Sequence, residues 1–204
     1  MVWQQIARRG VQSPVVLRAM MRVPRHLFVP PEFRSQAYAD NPLPIGSGQT
    51  ISQPYIVAWM TELLELRQYD RVLEIGVGSG YQTAILAQVA GQVIGLERIP
   101  VLADQARARL ASLGLGSVEV IVADGSEGYL EKAPYNGILA AAATPHIPRP
   151  LLEQLAEGGR LVLPVGDLFE QTLERVTRRG DSFHIERLGG VRFVPLIGTH
   201  GFMG

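Results

Sequence analysis

The run Glu74-Ile75-Gly76-Val77-Gly78-Ser79-Gly80-Tyr81 constrains this chain more than any other segment. Three glycines at alternate positions follow Val72-Leu73-Glu74-Ile75, an apolar stretch that reads as a buried strand. Glycine at that spacing lets the backbone turn sharply and brings main-chain N–H groups close to a ligand that a β-carbon would hold away. A plain strand-to-helix turn can carry the same glycines, so the loop alone points to a nucleotide-like ligand without establishing one.

The surrounding pattern is that of an α/β domain. Apolar positions predict a helix over residues 55–66, a strand at 72–75, a helix at 82–89, a strand at 93–97, a helix at 101–113 and a strand at 118–122. Strands at 136–141 and 160–163 continue the alternation around a helix at 150–155, with Gly158-Gly159 as its stop. Such crossovers imply a mainly parallel, doubly wound, Rossmann-like sheet. The tail reads as strands at 172–178, 183–187 and 192–196 divided by turns at Arg179-Gly180-Asp181 and Gly189-Gly190, an antiparallel C-terminal edge. Residues 1–22 read as helical with Ser13-Pro14 as cap and first turn, and 23–54 as a proline- and glycine-rich loop too apolar for disorder. At 204 residues one domain is expected, with 1–54 packing on it as an extension.

Composition narrows the partners. Nineteen basic residues balance nineteen acidic ones, which leaves no electrostatic footprint for a nucleic-acid backbone. Cysteine is absent, which removes disulfides and thiolate chemistry, and no basic start leads into an apolar signal core, so the cytoplasm is the expected location. No run approaches the roughly 20 apolar residues of a membrane span. His26, His146, His184 and His200 are scattered, so no metal site is expected.

Glu97 ends the second strand, 21 residues after Gly76, where nucleotide-binding α/β units place an acid for ribose hydroxyls. Asp124-Gly125 ends the third strand and either faces an adenine edge or simply makes a turn. The glycines run G-x-G-x-G, whereas dinucleotide binders use G-x-G-x-x-G to set a helix N-terminus on a pyrophosphate. S-adenosylmethionine carries a sulfonium and no phosphate, and an acid such as Glu74 suits it, so the methyl donor is favoured over a dinucleotide.

Taken together, Val23-Pro24-Arg25 with Phe28-Val29-Pro30, Leu43-Pro44-Ile45-Gly46, Gln49-Thr50-Ile51-Ser52-Gln53-Pro54-Tyr55, the glycine loop with Gln82-Thr83-Ala84, and Val191-Arg192-Phe193-Val194-Pro195-Leu196 resemble the protein-L-isoaspartate (D-aspartate) O-methyltransferases. The resemblance implies a class I S-adenosylmethionine-dependent methyltransferase that esterifies the free carboxylate of L-isoaspartyl residues in damaged proteins and peptides and releases S-adenosylhomocysteine. It implies Ser52 as the active-site residue. Glu74, Gly76, Gly78, Ser79, Gly80 and Glu97 would hold the cofactor, with Asp124 and Gly125 near the adenine. Ile51, Ser52, Val191, Arg192 and Phe193 would line the substrate site.

The residues suit that reaction. A carboxylate is already ionised at pH 7 and a sulfonium already activates its methyl group, so positioning matters more than a general base. Ser52 can orient the carboxylate by a hydrogen bond, or it can cap the following helix. Two departures from the family stand out: Asn136 replaces an acid expected near the C-terminal end of the sheet, and Val77 replaces a small polar residue. They leave open a methyltransferase for another substrate, or a cofactor-binding protein without turnover. A monomer is expected, although nothing in the sequence fixes oligomeric state.

Overall fold

The structure is a computed structural model that describes residues 1–203. Its helices are α1 (Pro14–Arg22), α2 (Pro54–Leu63), α3 (Tyr81–Leu86), α4 (Pro100–Ser112) and α5 (Arg149–Glu153). Its strands are β1 (Leu43–Gly46), β2 (Gln49–Ile51), β3 (Arg71–Ile75), β4 (Gln92–Glu97), β5 (Glu119–Val122), β6 (Tyr135–Ala140), β7 (Leu155–Gly166), β8 (Gln171–Arg179) and β9 (Ser182–Val191). Seven strands form one sheet in the order β5-β4-β3-β6-β7-β8-β9. The pairs from β5 to β7 are parallel, and β7-β8-β9 is an antiparallel meander. This is the expected Rossmann-like sheet with its antiparallel edge.

Burial on both faces explains why β3 reads as a continuous apolar run. Leu73 and Ile75 pack with Ile94, Leu96, Ile138 and Leu151 on one face, while Val72 packs with Met60, Leu64, Leu86 and Val93 on the other. The N-terminal addition joins a third cluster, in which Ile6, Val16, Met20 and Phe28 meet Tyr81, Ala84, Ala106 and Leu110 of α3 and α4. Burying a large side chain of this kind is worth about 1.5–3 kcal/mol, so the extension is part of the core. No helix among the described residues is long and apolar enough to cross a membrane.

The structure refines several local expectations. The first 22 residues are helical as expected, but in pieces, with helical turns at Val2–Ile6 and Ala7–Arg9 that end at Gly10 in a left-handed conformation, φ 103°. The helix α1 then starts afresh with Ser13 as cap and Pro14 in its first turn, as its sequence predicts. The 23–54 segment is not only loop, since β1 and β2 form an antiparallel hairpin that pairs Leu43 with Ile51.

At the C-terminal edge, Gly189-Gly190 makes no turn. The strand β9 continues through both glycines to Val191, and Gly189 passes close to Trp59, where a Cβ would lie 3.7 Å from the indole. Residues 192–196 consequently leave the sheet and cross the end of β6, where Ala143 donates to the Val194 carbonyl at 2.8 Å and accepts from Leu196 at 2.7 Å. Gly158-Gly159 likewise does not stop α5, which ends at Glu153. Both lie within β7, where a Cβ on Gly159 would come within 2.8 Å of the carbonyls of Ala156 and Tyr135.

Candidate functional site

The chain runs outward through β4 and β5 on one side of β3, then returns to β6 and β7 on the other, so the order of the sheet reverses between β3 and β6. A crevice must open there, beyond the carboxyl ends of the strands, because the connections diverge to opposite faces. The cleft found at that point is lined by Ile75, Gly76, Val77, Gly78 and Ser79 after β3, by Glu97, Arg98 and Ile99 after β4, by Gly125 after β5, and by Ala141 and Ala142 after β6.

Gly78 has φ 53°, a left-handed backbone that disfavours a β-carbon, and such a carbon would also lie 3.2 Å from Ile45 in the hairpin. The buried Glu97 fastens this loop, since its carboxylate accepts from the N–H of Gly78 at 2.8 Å and from that of Ile99 at 2.9 Å. Each carboxylate oxygen retains a second acceptor site, so the acid can hold the loop and still receive hydroxyl protons. Gly125 has to lack a side chain because a Cβ would sit 2.4 Å from Ile75 Cγ2. A glycine-lined loop whose Gly76, Gly78 and Gly80 amides already donate within the protein, an acid with spare acceptor capacity, and the apolar Ile75, Leu96, Ile99 and Leu196 fit an adenosine group carrying no phosphate.

A second hollow adjoins the first. It is lined by Arg9, Tyr55, Trp59, Phe169, Gln171, Val191 and Arg192, and it shares Thr50, Ser52, Ile56, Ala141, Phe193 and Val194 with the cleft. Ser52 therefore stands where the two spaces meet. It is held from both sides, by β2 before it and by the start of α2 at Pro54 after it. Gln53 occupies the cap position of α2, with no side-chain hydrogen bond there, so capping does not account for Ser52. Phe193 is held by Gln171, whose side-chain oxygen accepts from the Phe193 N–H at 2.7 Å while its amide donates to the Phe193 carbonyl at 3.3 Å. The side-chain amide thus pairs with the Phe193 backbone just before Val194 and Leu196 bond to Ala143.

Not every candidate faces the cleft. Glu74 alternates with Leu73 and Ile75, so it shares the Val72 face of the sheet and lies beneath the loop, fully buried. Burial pushes its carboxyl up to about 8, a rise that Glu97 reinforces, and neither oxygen has a hydrogen-bond partner among the described residues. Asp124 turns toward the C-terminal tail. Its carboxylate accepts from the Ser126 N–H at 2.9 Å, the Ser126 hydroxyl at 2.7 Å and the Thr199 N–H at 2.7 Å. Partial burial would raise its pKa, but the hydrogen bonds from Thr199 and Ser126 outweigh that and hold it below the ordinary carboxylate range.

The two departures from the family pattern also find their places. Asn136 lies at the beginning of β6, the end of the sheet away from the cleft, where its side-chain oxygen accepts from the Arg71 N–H at 2.9 Å. The expectation that a carboxylate had been lost beside the site is thus corrected. Val77 fills the space above Gly95, where a Cβ would be 2.5 Å from Val77 Cγ2, so the two residues are complementary in size. The wall residues Arg9, Tyr55, Trp59 and Phe169 escape sequence reasoning, because three distant segments bring them together and no spacing signals it. Tyr55 does form part of the quoted run ending in Pro54-Tyr55, but its place in the groove is not visible there.

The sheet order, the glycine cradle and the acid after β4 define a Rossmann-like methyltransferase of the S-adenosylmethionine-dependent class. A family model for protein-L-isoaspartate(D-aspartate) O-methyltransferase matches residues 1–201, and the chain belongs to that family. It is 60% identical over 202 residues to a protein-L-isoaspartate O-methyltransferase of Methanospirillum hungatei, covering 99% of this chain and 94% of the relative. A Methanoregula boonei protein of the same name is 59% identical over 99% and 93% of the two chains. Among solved structures, a protein-L-isoaspartate O-methyltransferase superposes with a TM-score of 0.88 at 28% identity over 98% of this chain and 66% of that one. A Plasmodium falciparum structure assigned the same activity, in complex with S-adenosyl-L-homocysteine, gives 0.83 at 25% identity over 96% of each chain.

Proposed function

We propose that this protein transfers a methyl group from S-adenosylmethionine to the free carboxylate of L-isoaspartyl residues, with Ser52 orienting the acceptor. The observation that carries the reading is the position of Ser52 in the wall common to the cofactor cleft and the neighbouring hollow. The donor supplies a methyl group already activated by its sulfonium. Gly76, Gly78 and Ser79 line its cleft and let it approach the backbone closely, Gly80 packs the loop against α4, Glu97 accepts its ribose hydroxyls, and Gly125 lies near its adenine. Glu74 and Asp124 act from behind these contacts, Glu74 beneath the glycine loop and Asp124 by holding the tail that carries Leu196 into the cleft.

On the acceptor side the Ser52 hydroxyl donates to one carboxylate oxygen and leaves the other free to attack. Ile51 packs beside it, and Val191, Arg192 and Phe193 form the facing wall. Arg192 brings a cation to the mouth of the hollow, suited to an anionic acceptor. Fixing the nucleophile in line with the reacting carbon is the main contribution available, because no proton has to be removed. The product is a carboxyl ester. Mass-spectrometric mapping of labelled product should place a base-labile methyl ester on the isoaspartyl residue, whereas label on an amide nitrogen or on another residue would overturn the proposal. A monomer acting in the cytoplasm belongs to the same reading, and light scattering checks the first part.

A further inference from the structure

The signature Val23-Pro24-Arg25 with Phe28 is not used by either cavity, yet it leads to one of the least expected features of the core. Arg25 is fully buried, and among the described residues its one side-chain hydrogen bond runs from Nε to the Ala37 carbonyl at 2.7 Å. Both terminal nitrogens lack hydrogen-bond partners among the described residues. A guanidinium so placed is costly to bury, and burial lowers its pKa to about 10. Such a group calls for a role.

What it touches suggests one. The Arg25 guanidinium lies over the Tyr81 ring, 4.8 Å from its centroid, and Tyr81 is the residue immediately after the glycine loop. Phe28 meets the same ring edge-on at 5.4 Å. Arg109 of α4 stands over the Phe28 ring, 5.8 Å from its centroid, and donates from Nη1 to the carbonyl of Ser79 within the loop. Cation, phenol, phenyl and cation thus form a continuous chain of contacts that begins in the N-terminal addition and ends on the loop backbone. Gly80 is enclosed by the same helix, since a Cβ there would lie 3.4 Å from Ala106.

We infer that Arg25 is a positioning residue for cofactor binding, acting through Tyr81, Phe28 and Arg109 to hold Ser79-Gly80 in its ligand-ready shape. The inference rests on the glycine loop being the S-adenosylmethionine cradle. A cation held against an aromatic face in a desolvated site interacts far more strongly than one at the surface, and an ordered loop avoids the entropy of ordering on binding. The N-terminal addition therefore serves the donor as well as the acceptor.

Titration calorimetry with S-adenosylhomocysteine tests this without any need for turnover. Arg25→Met, similar in length but uncharged, is expected to weaken binding about tenfold, and Arg25→Lys should recover most of that loss. Arg109→Gln, at a half-buried site, should weaken binding about fivefold while leaving the KM for an isoaspartyl peptide within about twofold of wild type. Wild-type binding of the probe in the same experiment separates failure of the cofactor reading from failure of the brace. Unchanged affinity in Arg109→Gln would overturn the inference even if Arg25→Met does not fold. So would an Arg25→Lys protein that folds and binds no better than Arg25→Met.

Discussion

Glu74 offers the sharpest test of the electrostatics beneath the glycine loop. Its carboxyl is fully buried without a hydrogen-bond partner among the described residues, and burial raises it from 4.5 to about 8. The folded protein consequently binds one proton more than the unfolded chain throughout that interval, so stability must fall as the pH rises through it. The favourable contribution is complete below 4.5 and lost above 8. From pH 4.5 to 7 the loss is about 1.4 kcal/mol per unit, or roughly 3 kcal/mol in all. In a chain of this size that corresponds to roughly 6–12 °C in melting temperature. Glu74→Gln keeps the shape but cannot ionise, so its curve should lack this slope, whatever constant penalty its unpaired amide adds. Melting temperatures of both proteins, recorded side by side from pH 4.5 to 8.5, cancel every other titrating group. Parallel curves would refute the reasoning and would mean that Glu74 is ionised and paired within the fold.

Ser52→Ala should lower kcat on an isoaspartyl peptide by about 10- to 100-fold, the value of a hydrogen bond to a charged group, while S-adenosylhomocysteine affinity by calorimetry stays unchanged. Gly125→Ala pushes a methyl group into Ile75 and should destabilise the fold by about 1–3 kcal/mol, with weaker cofactor binding, read by thermal melting and calorimetry. Asp124→Ala should release residues 199–200, seen as faster hydrogen exchange at the Thr199 and His200 amides. Because hydrogen bonds hold the Asp124 pKa down, the same release should occur in wild type on acidification below its ordinary range, and not on raising the pH. Equal exchange in wild type and variant would remove the latch.

The parallel part of the fold was legible because its strands are buried on both faces and its helices begin at prolines, as at Pro54 and Pro100. Local patterns report such features directly. The C-terminal edge was misread at Gly189-Gly190, where both glycines pair with β8 beside an irregularity in register and no turn forms. Nothing local distinguishes those two uses. The donor half of the site follows from spacing alone, since Gly76, Gly78 and Glu97 all sit at strand ends of one unit. Asp124 illustrates the limit: an acid at a strand end can face a ligand or secure its own tail, and only Thr199, 75 residues away, decides. The acceptor wall drew on Arg9, Trp59 and Phe169, which tertiary packing assembles from three segments.

The central claim, that the shared wall at Ser52 is built for an isoaspartyl carboxylate, is met most directly by one comparison. Initial rates of methyl transfer from labelled S-adenosylmethionine would be measured with two peptides identical except for an isoaspartyl or an aspartyl linkage. The account predicts rapid labelling of the isoaspartyl peptide and background labelling of the other, whereas equal labelling of both, or of neither by a protein that binds the cofactor, would contradict it.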